Sequence, residues 1–174
     1  TGLKESEAIV KAASSRGSKM HAYLESFLLG RENLSFFDDD EQYKIMAKQI
    51  IEKGLINRFE EIWGVECTLY KPDSYSGTCD AVGVYDGRES IIDFKQSNKP
   101  KRAEWIDDYK LQLVAYAMAH DQVYGTRIEQ GVILMCTPDN FFQRFLVNGS
   151  EFREWKWEWL RRIDTYYGKN VAKS

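Results

Sequence analysis

The dipeptide Asp86-Gly87 sits between two runs of β-forming residues, Gly77 to Tyr85 and Glu89 to Lys95. Asp-Gly suits a two-residue hairpin turn, because both central residues there need positive φ. Such a turn sets the register of the two strands. Tyr85 then faces Arg88, Val84 faces Glu89, and Asp80 faces Asp93. Opposed Cβ atoms lie roughly 4.5–5.5 Å apart, where like charges destabilise the pair. A four-residue turn keeps this pairing, whereas a three-residue turn with a bulge breaks it. Alternation puts Lys95 on the face of Asp93, opposite Thr78, together with Val82, Val84 and Ile91. Cys79, Ala81, Ile92 and Phe94 fall on the other face.

Two carboxylates and an ammonium on half-buried strands need a reason. A divalent cation supplies one, since Mg²⁺ favours carboxylate oxygens and keeps several waters. Asp80 and Asp93 become the metal ligands, with the backbone carbonyl of Phe94 as a third. Lys95 stabilises charge developing on phosphorus or orients the attacking water. The expected cofactor is Mg²⁺ or Mn²⁺, as one ion or two. The alternative is a structural ion pair between Lys95 and one aspartate.

The rest of the chain reads as an α/β domain. Ser18 can cap a helix to about Leu29, ended by Gly30, with Met20, Leu24, Phe27 and Leu28 at helical spacing. Asp38-Asp39-Asp40 is a start signal for a second helix, from about Glu41 to Ile62 and breakable at Gly54. Val65 to Tyr70 is a strand. After the hairpin come a helix over Ala103 to Tyr124, strands over Gly131 to Cys136 and Phe141 to Val147, and a helix over Glu151 to Tyr167. The run Leu111 to Met118 is apolar nearly all round, so that helix should be buried. This order suggests a mixed sheet of about five strands with helices on both faces. We expect one domain over 1–174, with a helical part at 1–63 and a core at 64–174.

Composition narrows the function. The net charge of -3 argues against a uniformly basic surface but leaves room for a local basic groove. Lys99, Lys101 and Arg102 follow the Lys95 strand directly and can contact phosphate, or form a solvated loop. The cysteines, Cys67, Cys79 and Cys136, are scattered and odd in number. They suggest reduced thiols, no disulfide framework and no iron–sulfur cluster. No signal peptide or membrane-length apolar run is visible, so a cytoplasmic monomer without a membrane is expected. In the last helix Trp155, Trp159, Ile163 and Tyr166 follow core spacing. Trp157 falls on another face and is the one to test for base stacking.

Several of these segments together resemble the PD-(D/E)xK nuclease superfamily, in its RecB-type exonuclease branch. They are Gly77-Thr78-Cys79-Asp80, Ile92-Asp93-Phe94-Lys95, and Leu111-Gln112-Leu113 through Tyr116. The segment Gln96-Ser97-Asn98-Lys99-Pro100-Lys101 is similar to a Thr-Ser-x-Lys-Pro-Lys motif of the mitochondrial genome maintenance group and its phage and bacterial relatives, with Gln96 in place of the usual Thr. Arg16-Gly17-Ser18, His21 and Glu25 resemble the Arg-Gly-Thr-x-x-His-x-x-x-Glu helix of that branch.

The resemblance implies a three-layer αβα fold and Mg²⁺- or Mn²⁺-dependent hydrolysis of DNA leaving 5′-phosphates. It implies single-stranded DNA or DNA ends as substrate, threaded beside a helical arch. It implies His21 as a metal ligand and Glu66 as a candidate for a second metal or its water. Gln112 would support the active site, and Arg16, Ser18, Thr78 and Tyr116 would lie against DNA. For His21, Glu66 and the Gln112–Tyr116 pair, purely structural roles stay open. Other replication or recombination proteins are expected partners, in a bacterial or phage-infected cytoplasm, or in the mitochondrial matrix of a eukaryote. The competing readings are a catalytically silent DNA-binding module and a structure-specific or restriction-type endonuclease on duplex DNA.

Overall fold

A computed structural model of the chain describes residues 2–31, 41–71 and 75–172. The elements run α1 (Gly2–Leu28), α2 (Gln42–Ile50) with a wide π turn at Ile51–Leu55, β1 (Phe59–Lys71), β2 (Tyr75–Tyr85), β3 (Arg88–Gln96), a 3-10 turn at Ala103–Trp105, α3 (Asp107–Tyr124), β4 (Gln130–Cys136), β5 (Phe142–Asn148) and α4 (Gly149–Ala172). The strands form one sheet in sequence order, β1-β2-β3-β4-β5. Every pairing is antiparallel except β3 with β4. That parallel pair needs a crossover, and α3 supplies it.

The layers follow from side-chain alternation. On one face Ala81, Tyr85, Ile92, Phe94, Val132 and Leu134 pack under Met20, Leu24, Met46 and Ile50 of α1 and α2. On the other Val82, Ile91, Ile133 and Met135 pack under Leu113, Val114 and Ala117 of α3 and Phe152 of α4. Each fully buried aliphatic side chain contributes about 1.5–3 kcal/mol. The result is an αβα sandwich with five strands, as the element order suggested. Helix α3 is buried along most of its surface from Leu111 to Ala117.

Three boundaries differ from expectation. Ser18 does not cap α1, which already runs from Gly2 through a stretch rich in Ala, Glu and Lys. The C-terminal end is as read. Gly30 takes φ +69°, Gly30 N–H donates to Phe27 O at 3.1 Å, and Arg31 N–H donates to Ser26 O at 3.0 Å. This is a Schellman cap. The start signal at Asp38-Asp39-Asp40 lies outside the described residues.

The second helical stretch stops at Leu55 rather than Ile62. Asn57 takes φ +64° and turns the chain into β1, which therefore begins at Phe59. The buried Tyr85 hydroxyl donates to Gly54 O at 2.6 Å and pins this junction. Asn tolerates the left-handed conformation, and a helix does not pass through it. In α4, Trp155 and Trp159 pack on the core, but Tyr166 is exposed near the helix end, contrary to its expected core position. Trp157 is exposed, on the face anticipated.

Candidate active site

The turn behaves as its residues require. Asp86 and Gly87 have φ +47° and +76°. The β2–β3 pairs are Tyr85 with Arg88, Val84 with Glu89, Gly83 with Ser90, Val82 with Ile91 and Ala81 with Ile92. The next step would oppose Asp80 and Asp93, and there the ladder opens. Phe94 N–H donates to Asp80 Oδ2 at 2.7 Å instead of to a strand carbonyl. Alternation slips at the same place. Cys79 packs on the α3 side with Val82 and Ile91, whereas Ala81 packs on the α1 side. Cys79 therefore does not share a face with Ala81, Ile92 and Phe94 as expected.

Strand β1 is distorted beside this opening. Glu66 holds φ +51°, a left-handed conformation that costs a non-glycine residue roughly 1–2 kcal/mol. A Cβ on Gly64 would lie 2.3 Å from Cys67 Sγ, so any other residue there would make the thiol turn away. Strain of this kind concentrates at functional sites.

The opened strands let Asp80 and Asp93 reach different layers while their carboxyl groups stay within hydrogen-bonding reach of each other. Asp80 turns toward α1, with His21 Nε2 at 3.5 Å. Asp93, 6% exposed, turns toward α3, with Lys95 Nζ 2.9 Å from its Oδ2. That contact is close but lies off a hydrogen-bonding direction, so this buried oxygen has no hydrogen bond. Lys95 instead donates to Gln112 Oε1 at 3.2 Å, and Gln112 Nε2 donates to the Tyr116 hydroxyl at 2.8 Å. The Tyr109 ring lies under the ammonium, 4.7 Å from Nζ to centroid. Gly77 is what lets Tyr116 lie against β2, since a Cβ there would meet its ring at 2.5 Å.

His21 is half-buried between two carbonyls. Nδ1 lies 2.8 Å from Gly17 O and Nε2 lies 2.7 Å from Phe94 O. Both nitrogens must donate to satisfy both contacts, so the ring is an imidazolium here. Burial opposes that charge, but Asp80 and the two carbonyls overcome it and raise the pKa to about 9. Burial, then Asp80, pushes Asp93 up to about 7 against the pull of Lys95. Asp80 moves the other way: burial opposes its charge, but His21, Asp93 and Phe94 N–H hold it below the ordinary range. Burial also opposes the charge on Lys95, and Asp93 overcomes it to raise that pKa. Near pH 7 the site is thus ionised on Asp80, His21 and Lys95, while Asp93 is in mid-titration.

These shifts carry a pH signature. Asp93 and His21 both hold protons more tightly than their ordinary values of 3.8 and 6.5. Their stabilising contribution is complete below those values and lost as pH rises through about 7 and about 9. With chelator present, thermal melts should therefore fall by several degrees from about pH 6 to about pH 9. The fall should be shallower in Asp93→Asn. Equal melting temperatures across that range would contradict the assignment.

The remaining expected residues divide between two cavities. One, of about 550 Å³, is lined by Ser18, His21, Glu25, Glu66, Thr78 and Asp80 among others. Glu25 and Glu66 meet there, and the Glu66 carboxyl raises the pKa of Glu25. The other, of about 490 Å³, is lined by Lys99 and Lys101, with Arg102 stacked on Trp105 at its rim. Arg16 reaches neither cavity wall. It is a strap, donating to Gln96 Oε1 at 2.6 Å, Asn98 Oδ1 at 3.0 Å and Gln42 Oε1 at 3.2 Å. The sequence reading gave no role to Tyr109 and named Glu25 only as a motif neighbour of His21. Each was visible as a helical neighbour, Tyr109 one turn before Gln112 and Glu25 one turn after His21.

No family model matches the chain. The human and mouse proteins named mitochondrial genome maintenance exonuclease 1 are 28% and 29% identical to it over 162 residues. Those alignments cover 88% of this chain and 46% of each relative, so the chain spans about half their length. The Xenopus tropicalis protein of that name is 25% identical over 169 residues, covering 93% of this chain and 47% of the relative. A crystal structure from Eubacterium rectale, provisionally described as an exonuclease, superposes with a TM-score of 0.56 at 12% identity, over 90% of this chain and 66% of that one.

These likenesses support a nuclease of the PD-(D/E)xK type.

In this nuclease-type domain the Asp80, Asp93 and Lys95 group lies where the middle strands part, between the two helical layers. No helix among the described residues is long and apolar enough to cross a membrane.

Proposed function

We propose that the domain is a metal-dependent DNA exonuclease that hydrolyses phosphodiester bonds in single strands or at DNA ends, leaving 5′-phosphates. The observation that carries this is the buried Asp93 carboxyl, its Oδ2 paired with the Lys95 ammonium at 2.9 Å and the Asp80 carboxyl beside it. Two carboxyl groups buried side by side resist ionising together unless a cation binds between them. Two adjoining carboxyl groups with an adjacent carbonyl suit Mg²⁺ or Mn²⁺. Among the described residues no three His, Cys, Asp or Glu side chains close into a metal cage. Mg²⁺ does not need one, since it takes one or two carboxylates and fills the rest with water and substrate oxygens.

Asp80 and Asp93 would hold the ion, with Phe94 O as a backbone donor. His21 can join once it gives up a proton and releases that carbonyl. When bound, the cation supplies Lewis-acid polarisation of the phosphoryl group and activation of water. Lys95 places its ammonium against the non-bridging oxygens as negative charge builds there. Water adds to phosphorus, the P–O3′ bond breaks, and the 3′ oxygen leaves with a proton. Gln112 and Tyr109 hold Lys95 in place, and Tyr116 holds Gln112.

His21→Ala is expected to slow cleavage about 10–100-fold and to change the relative rates with Mg²⁺ and Mn²⁺. Unchanged rates with both metals would leave His21 as packing for Phe94 alone. Residence in a bacterial, phage-infected or mitochondrial replication and repair system fits the same chemistry. The function is tested on linear and circular single- and double-stranded DNA and on end-blocked DNA with Mg²⁺. The exonuclease reading predicts shortening of linear single strands with free ends and none of circles. Cutting of closed circles would replace it with an endonuclease, and binding without cutting with a silent module.

A further inference from the structure

The second cavity begins where the Lys95 strand ends, and nothing assigned so far explains the indole at its mouth. Gln96 to Lys101 form one side, and Trp105 and Tyr109 form the other. Tyr109 lies inside, with its ring beneath the Lys95 ammonium. Trp105 stands at the mouth, 59% exposed although it is an indole in a well-packed domain. The Arg102 guanidinium sits 5.2 Å from its ring centroid and is itself 4.0 Å from Glu104. An exposed tryptophan with lysines beside it and a reactive lysine at the inner end is how proteins hold single-stranded nucleic acid. The aromatic face stacks a base and the cations follow the backbone.

The wall is preformed. Lys101 N–H donates to Gln143 Oε1 at 2.8 Å, and Gln143 Nε2 donates back to Lys101 O at 2.8 Å. The Ser97 hydroxyl donates to Lys99 O at 2.6 Å, and Ser97 N–H donates to Cys136 O at 3.3 Å. Arg16 ties Asn98 to α1. A loop clamped to β4, β5 and α1 has little ordering entropy left to lose when a ligand arrives.

We propose that this cleft is a nucleotide subsite: Trp105 stacks on a base one or two nucleotides from the phosphate at Lys95, while Lys99 and Lys101 hold the intervening backbone. The inference rests on the nuclease reading above and adds the path of the strand. The polynucleotide runs from the cavity under α1, past Asp80 and Asp93, and out over Trp105.

The test is a binding measurement in the Asp93→Asn protein, chosen to prevent cleavage, with labelled short single-stranded DNA and Mg²⁺. Trp105→Ala in that background should raise Kd about tenfold, and Trp105→Phe should restore it to within about twofold. An abasic residue placed at each position in turn should remove the difference between tryptophan and alanine at one position only. Equal Kd for Trp105→Ala and its parent would overturn the subsite while leaving the reading of Asp80, Asp93 and Lys95 intact. A loss insensitive to every abasic placement would overturn the stacking. A parent protein that binds no DNA at all would overturn the function itself, and the subsite with it. Trp105 is exposed, so both variants should keep the parent's melting temperature, which circular dichroism checks.

Discussion

Lys95→Ala should lower single-turnover cleavage of single-stranded DNA by about a thousandfold while the protein stays folded. The magnitude follows from what the ammonium does. It is held by Asp93 at 2.9 Å and Gln112 at 3.2 Å over the Tyr109 ring, so in the proposed reaction it would meet the developing phosphoryl charge without reorganising. Removing one preorganised donor of this kind costs roughly 10²–10³ in rate. Loss of an additional orienting contact to water pushes the expectation to the upper end. The loss should appear in the maximal rate rather than in DNA affinity. Lys95→Arg should not rescue it, because a planar fork does not fit the space of an ammonium between Asp93, Gln112 and a ring face. Gln112→Ala, which frees the lysine without removing it, should show a smaller loss. Wild-type rates in Lys95→Ala would remove the mechanism.

The second large effect is expected at the aspartates. Asp80→Asn and Asp93→Asn should each reduce cleavage by at least about a thousandfold. Each should also weaken Mn²⁺ binding measured by calorimetry or by spin resonance, a readout independent of catalysis. The two substitutions act on one unit, so the double variant should be scarcely worse than either single one. The metal-free proteins should differ in the opposite sense to ordinary damage. Asp93 is about half protonated near pH 7, because burial and Asp80 raise its pKa to about 7. Asn at that position keeps the neutral shape, so it should be well tolerated in the fold while it loses the metal. Asp93→Asn that bound Mn²⁺ like wild type would contradict the assignment of ligands.

The part of this site legible in the sequence is the part that depends on local rules. Asp86-Gly87 specifies a turn, the turn specifies a register, and the register brings Asp80, Asp93 and Lys95 into one neighbourhood. Helix periodicity likewise placed Gln112 and Tyr116 together, and they are hydrogen-bonded. What was not legible depends on contacts distant in the chain. Simple alternation put Asp80 opposite Asp93 and Cys79 beside Ala81. In the structure the Phe94 amide takes the Asp80 carboxylate, the ladder parts and Cys79 changes layers. Arg16 was read as a phosphate contact because its neighbours match a motif, and its bonds to Gln42, Gln96 and Asn98 run across gaps no local rule spans. The start of β1 was missed because Asn57 at positive φ ends a helical pattern that hydrophobic spacing would have continued.

The most direct test uses one reaction mixture. A uniformly labelled linear single strand is incubated with the protein and excess Mg²⁺, then with chelator, then with Mg²⁺ restored, and sampled throughout. The account predicts progressive shortening that stops on chelation and resumes on restoration. A strand that stays intact with Mg²⁺ and again with Mn²⁺, or one that shortens equally with chelator present, would contradict it.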